Sequence, residues 1–273
     1  MQTFLVPVDF SAASNNALEY AAQLARIYNA RLLLFHAYML PTPVSEVPYV
    51  MITADELQKE NEKLIERDAR EITQKYQVET DWQVRIGIAS DEIKAITRET
   101  DIAFIIIGMK GAGGFEKIIG STTTNVLHKV KSPVLIIPHD AGYKTVTSIV
   151  YASDFSYQSS FHLFDPLLAL LKQFKAALTI LHVQLVHSSE SPDLLVGKKD
   201  IGGIFEGHRF NFVTVENNSV THGINRYLSE YGSDLLVMVA HKHGFFERIF
   251  SKNHTGAMAY ETHIPMLVLQ DKD

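Results

Sequence analysis

The sequence predicts an α/β protein built as two tandem copies of one unit, each a parallel sheet covered by helices on both faces. Three observations lead there. Short β-branched strands alternate strictly with helical patterns. The chain has 273 residues and is 46% hydrophobic, enough for two ordinary domains with real cores. Finally, one set of landmarks occurs twice. FLVPVDFSAASNNALEYA (4–21) and SIVYASDFSYQSSFHLFDPLLA (148–169) each give an apolar strand ending in D-F-S and then an amphipathic helix, which sets Asp9 against Asp154. ARLLLFHAY and AALTILHVQ follow, strands that end near His36 and His182. DIAFIIIGMKG and SDLLVMVAHKH then precede helices running into SPVLIIP and IPMLVLQ. Gly108 to Pro133 and Ala240 to Pro265 both span 25 residues, which aligns Ala240 with Gly108. The boundary falls in HDAGYKTVT, with turn-forming Asp140 and Gly142, and the domains are expected at 1–140 and 145–273.

In the first copy the expected order is strand 3–8, helix 13–28, strand 31–37, helix 54–76, strand 81–86, helix 91–99, strand 103–107, helix 121–131 and strand 134–137. The helix at 54–76 is long and charged, a solvated outer helix with one apolar stripe. The proline-rich LPTPVSEVP before it is an exposed connector or a loop that closes over a ligand. Parallel sheets bind ligands beyond the carboxyl ends of their strands. Asp9 and the glycine-rich stretch GMKGAGGFEKIIGST (108–122) both lie there.

Composition narrows the function. A net charge of −6 with scattered lysines and arginines provides no basic stripe for nucleic acid. The absence of cysteine excludes disulfides and thiolate chemistry and agrees with a cytoplasmic location. The start, MQTFLVPVDF, has no signal-peptide pattern, and the longest apolar runs fall far short of the roughly 20 residues of a membrane helix. His241, His243, His254 and His263 lie close in sequence, but without cysteine or an H-x3-H pair they are expected to be surface histidines rather than metal ligands. His36 and His182, at equivalent strand ends of both copies, are expected to be structural.

The glycine stretch has a physical reading. Residues without a Cβ let backbone N–H groups approach a phosphate, and the following helix start adds unpaired donors and the positive end of its dipole. Gly108, Gly111 and Gly120 would shape such a cradle, Ser121 and Thr122 would add a hydroxyl and amides, and Lys110 and Lys117 would supply counter-charge. The plainer alternative is a glycine turn before a helix capped by Ser121. Neither a Walker loop nor a dinucleotide fingerprint is present: no lysine precedes Ser121, and Glu116 stands where the fingerprint needs glycine.

With these residues in place the chain resembles the tandem form of the universal stress protein family. The likeness rests on P-x-D at Pro7 to Asp9, on His36 and Ala37 closing the second strand, on SPVLIIP, and on a G-x2-G-x9-G-[ST] signature matched by Gly108, Gly111, Gly120 and Ser121. Eight residues rather than nine separate Gly111 from Gly120. The resemblance implies an adenine-nucleotide alpha-hydrolase-like sheet of five strands per copy in the order 3-2-1-4-5. It implies ATP in the first copy, with Mg²⁺ as the expected counter-ion. Pro7, Val8 and Ala37 would line the base pocket and Asp9 would meet the adenine or ribose. Ile107, Gly108, Lys110, Gly111, Gly120, Ser121 and Thr122 would complete the site. Asp9 can also be read as the N-cap of the helix that follows, and the two roles are compatible.

In the second copy Ala240, His243, Lys252 and Asn253 replace Gly108, Gly111, Gly120 and Ser121, so no phosphate cradle is expected there, and Asp154 is read as a helix cap. Three functions remain open: a regulatory protein that binds ATP in its first copy, a scaffold that pairs domains through VLIIP and MLVLQ without nucleotide, and an enzyme. Enzymes of related architecture carry extra motifs such as S-G-G-x-D-S or H-I-G-H, which are missing here, so dedicated catalysis is not expected, although slow ATP hydrolysis remains open. The two copies are expected to pair within one chain, and a homodimer remains open.

Overall fold

The computed structural model describes residues 1–40, 53–109, 121–155, 161–186, 192–240 and 263–271. The first copy comprises β1 (Thr3–Pro7), α1 (Ala12–Tyr28), β2 (Arg31–Tyr38), α2 (Ala54–Tyr76), β3 (Thr80–Ile86), α3 (Ala89–Glu99), β4 (Phe104–Met109), α4 (Ser121–Lys129) and β5 (Val134–Pro138). In the second copy β6 (Ser148–Ala152) leads through a 3₁₀ turn to α5 (Asp165–Phe174), β7 (Ala177–Leu185), α6 (Pro192–Ile204), β8 (Phe210–Asn217), α7 (Val220–Tyr231), β9 (Leu235–Ala240) and β10 (Met266–Gln270).

Local chemistry sets these boundaries. Ser11 is the N-cap of α1 and accepts from the Ser14 amide; Ala17, Leu18, Ala21, Leu24 and Ala25 bury one face, and Asn29 ends the helix with φ 48°. A reciprocal capping box between Thr53 and Glu56 starts α2, which buries only a narrow stripe containing Ile65, Ala69 and Ile72. β5 and β9 are buried at every position, as strands covered on both faces must be.

The expected order appears in each copy, β3-β2-β1-β4-β5 and β10-β9-β6-β7-β8, but the two sheets are one. Antiparallel pairing of Val134, Leu135 and Ile136 with Val268, Leu267 and Met266 joins β5 to β10. All other pairings described are parallel. The symmetric register puts an approximate twofold axis between Leu135 and Leu267, perpendicular to the sheet. Carboxyl strand ends of the two copies therefore point to opposite rims. One apolar layer lies under α1, α2, α5 and α6 and the other under α3, α4 and α7, and both run through the two copies without a break. Tyr20 packs edge-on to Tyr143 at 5.0 Å, Tyr28 meets Phe174 at 6.3 Å, and Gln173 Nε2 donates to the Ile27 carbonyl at 3.3 Å.

Two expectations need correction. In the first copy Ala103 N donates to Thr3 O and Ile105 N to Pro133 O; in the second, Asp234 N donates to Ser148 O and Leu236 N to Pro265 O. These bonds align Leu236 with Ile105, so Val239 rather than Ala240 is the counterpart of Gly108. The equal spacing to the next proline hid a one-residue difference in the segment between them. Nor is Asp154 the cap of α5, which begins at Asp165 with Phe164 in the capping position and no side-chain bond there.

Candidate functional site

A cavity of about 390 Å³ opens at the carboxyl ends of β1, β2 and β4. β1 lies between β2 and β4, so this is the place where the strand order reverses. Pro7, Val8 and Asp9 line one wall, Ala37 another, Ile107 and Gly108 the floor, and Ser121 and Thr122 the side where α4 begins. Lys110, Gly111, Lys117 and Gly120 lie outside the described residues.

Sequence reading missed Ser11, Ala13, Ser14, Phe35, Ala89 and Thr123, which also line the cavity. They reveal its organisation: the first turns of α1, α3 and α4 all reach it. Each helix start brings the positive end of its dipole to the cavity, so partial positive charge reaches it from three directions, beside the Asp9 carboxylate and without a basic side chain among its described lining residues. Ala89 carries no signal in the sequence, since a small neutral residue after Gly87 and Ile88 has no chemistry of its own.

Asp9 is not the N-cap of α1; Ser11 is. The Asp9 carboxylate instead accepts from the Ser11 amide at 3.0 Å and from the Ser11 hydroxyl, while the Asp9 amide donates to Ser14 Oγ at 3.3 Å. Closing this tight turn places Phe10 at φ 59°, a conformation that costs a side-chain-bearing residue roughly 1–2 kcal/mol. The His36 ring packs on Phe10 with centroids 4.6 Å apart, and His36 Nδ1 lies 2.8 Å from the Val8 carbonyl. A carbonyl only accepts, so Nδ1 carries the proton. The second copy repeats the device, with Phe155 at φ 56°, His182 stacked on it at 5.0 Å, and His182 Nδ1 2.9 Å from the Ser153 carbonyl. Recurrence in both copies fits the structural role expected for both histidines.

Gly108 has a steric reason of its own. A Cβ there would stand 2.3 Å from the Ala13 carbonyl oxygen, because α1 crosses β4 at that point. The glycine thus brings the amino end of α1 down onto the cavity floor.

The universal stress protein family profile matches residues 1–138 and again 145–270. The chain belongs to the universal stress protein family. A universal stress protein of Mycolicibacterium smegmatis is 31% identical over 142 residues, which is 50% of this chain and 48% of that one, so the match spans about half the relative's length. Universal stress protein YxiE of Bacillus subtilis is 28% identical over 143 residues, covering 49% of this chain and 96% of its own. A universal stress protein from Archaeoglobus fulgidus shares the fold across the whole chain, with a TM-score of 0.74, 21% identity and 98% of each chain covered. PA1789 of Pseudomonas aeruginosa, described as functionally unknown, superposes with a TM-score of 0.57 at 13% identity over 99% of this chain and 92% of its own. Among the described residues no helix is long and apolar enough to cross a membrane.

Proposed function

We propose that this universal stress protein binds an adenine nucleotide, with ATP the expected species, in the cavity of its first copy, and that occupancy of that site governs how the molecule engages partners. The observation behind this reading is the convergence of three helix N-termini on one 390 Å³ cavity at the strand-order reversal. That volume lies within the roughly 300–1,000 Å³ typical of small-molecule sites. Val8, Phe35, Ala37 and Ile107 supply apolar surface for a base, and Asp9 offers a carboxylate to ribose hydroxyls. The starts of α1 and α4 favour the phosphates. Mg²⁺ would keep most of its waters and ride on the phosphates, which asks little of protein ligands. The second copy would serve pairing and interaction, and the cytoplasm is the expected compartment.

Native mass spectrometry of the purified protein tests the reading, with thermal unfolding in excess ATP alongside. Retained nucleotide, or added stability of about 2.7 kcal/mol when ATP reaches about 100 times its Kd, is the expected result, and Asp9→Ala should weaken both. Absence of bound nucleotide together with an unmoved melting temperature would leave the nucleotide-free scaffold instead.

A further inference from the structure

We infer that the outer edge of β3 is a self-complementary surface on which a second copy of this chain docks, strand to strand, about a twofold axis at Gln83. β3 ends the sheet and pairs only with β2 among the described residues. At its two ends the Glu79 carbonyl accepts from Leu32 and the Gly87 amide donates to Tyr38. Parallel ladders alternate, so the odd-numbered residues bond β2. The amides and carbonyls of Thr80, Trp82, Val84 and Ile86 therefore point to the open edge. Antiparallel pairing with a second β3 must make even-numbered residues its hydrogen-bonded partners. The register centred on Gln83 does so, setting Trp82 opposite the partner's Val84 and Thr80 opposite the partner's Ile86.

Side chains on both faces fit this register. On the α3 face Asp81 comes opposite the partner's Arg85, and by symmetry Arg85 opposite the partner's Asp81, in non-hydrogen-bonded pairs whose side chains approach most closely. Asp81, with its side chain 61% exposed, is paired among the described residues with Arg31 at 3.6 Å. Arg85 lies between Glu99 at 2.6 Å and Glu92 at 3.5 Å, which fixes it at the edge. On the α2 face a groove of about 240 Å³ runs beside Thr80 and Trp82, lined also by Ala69 and Thr73 and by the longer Glu66, Arg70 and Gln74. Ile86, on the same face, is 47% exposed, and the register carries it to the partner's groove. Knob and groove thus belong to one surface, as a closed twofold interface requires. The opposite edge, β8, lacks this match: centred on Val213, it offers Glu216 but no basic residue to meet it.

The chain contains no cysteine, so a single introduced thiol reports the register directly. Under mild oxidation Gln83→Cys should form a covalent dimer, because residue 83 meets itself across the axis within disulfide reach. Asp81→Cys alone should not, yet Asp81→Cys mixed with Arg85→Cys should link. Gln83→Glu, which sets like charges face to face, should shift the sedimenting mass from two chains to one without altering the circular dichroism. A wild-type protein that sediments as one chain would overturn the inference and leave the edge charges as mere protection against aggregation. Equal cross-linking of Gln83→Cys and Asp81→Cys would overturn it too, as would a dimer that survives Gln83→Glu.

Discussion

Gly108 and Phe10 show how single residues shape the cavity. Gly108 admits the Ala13 carbonyl and so sets how deep α1 sits, while Phe10 takes a strained φ so that Asp9 and Ser11 can close their turn. Gly108→Ala should lower stability by about 1–3 kcal/mol, the usual cost of overpacking, because the atom it meets is backbone and cannot swing away. Urea unfolding would measure the loss. Val239 fills the equivalent place in the second copy, so Val239→Ala should act only as a deletion there and leave the first copy's cavity intact. At this scale the sequence was half legible. Glycine at 108 was visible, but the close approach of a helix 95 positions upstream in the chain, which also requires it, is reported by no local pattern.

Helices and strands of the first copy met their sequence expectations closely, because each is set by local chemistry: capping residues start α1 and α2, apolar period selects the faces, and β-branched runs make the strands. What α3 contributes was not legible, since its start is marked by no capping side chain and its role comes from where β3 delivers it. Between the copies, Asp234 at the head of β9 pins the connector. Its carboxylate accepts from Thr147 N at 2.8 Å, Thr147 Oγ1 at 2.7 Å, Ser148 N at 3.0 Å and Ser148 Oγ at 3.2 Å. Partial burial alone would push its pKa up, but these four bonds outweigh burial and hold it below the usual aspartate value. A lowered folded-state pKa means the stabilisation is complete above the unfolded value of about 3.9 and is lost as pH falls from there through the folded value. Urea midpoints followed from neutral pH into that acid range should therefore fall more steeply for the wild type than for Asp234→Asn, which has no such charge to lose.

At the scale of the whole molecule, the described strands of the two copies form one ten-stranded sheet. Leu267 is fully buried at its centre, and Leu135 beside it is almost so. With both apolar layers continuous through that seam, the two copies should unfold together in one calorimetric transition. Leu267→Ala should cost about 2–5 kcal/mol and lower that single transition. Two resolved transitions in the wild-type protein would show that the seam does not couple them. Because the axis is perpendicular to the sheet, a ligand bound in the first copy sits on the rim opposite the corresponding strand ends of the second.

From the sequence alone came the duplication, the α/β class, nearly every element of the first copy and eight residues that line the cavity. Periodicity, capping and glycine placement are local, and repetition is visible without folding. Only the tertiary structure decided that Ser11 rather than Asp9 caps α1, that Val239 answers Gly108, that three helix starts converge on one cavity, and that the two sheets are one. Those facts depend on which backbone groups meet across distances in the chain that no short-range pattern encodes. The hydrogen-bond register between strands, not the spacing of landmarks, determines which residues are equivalent.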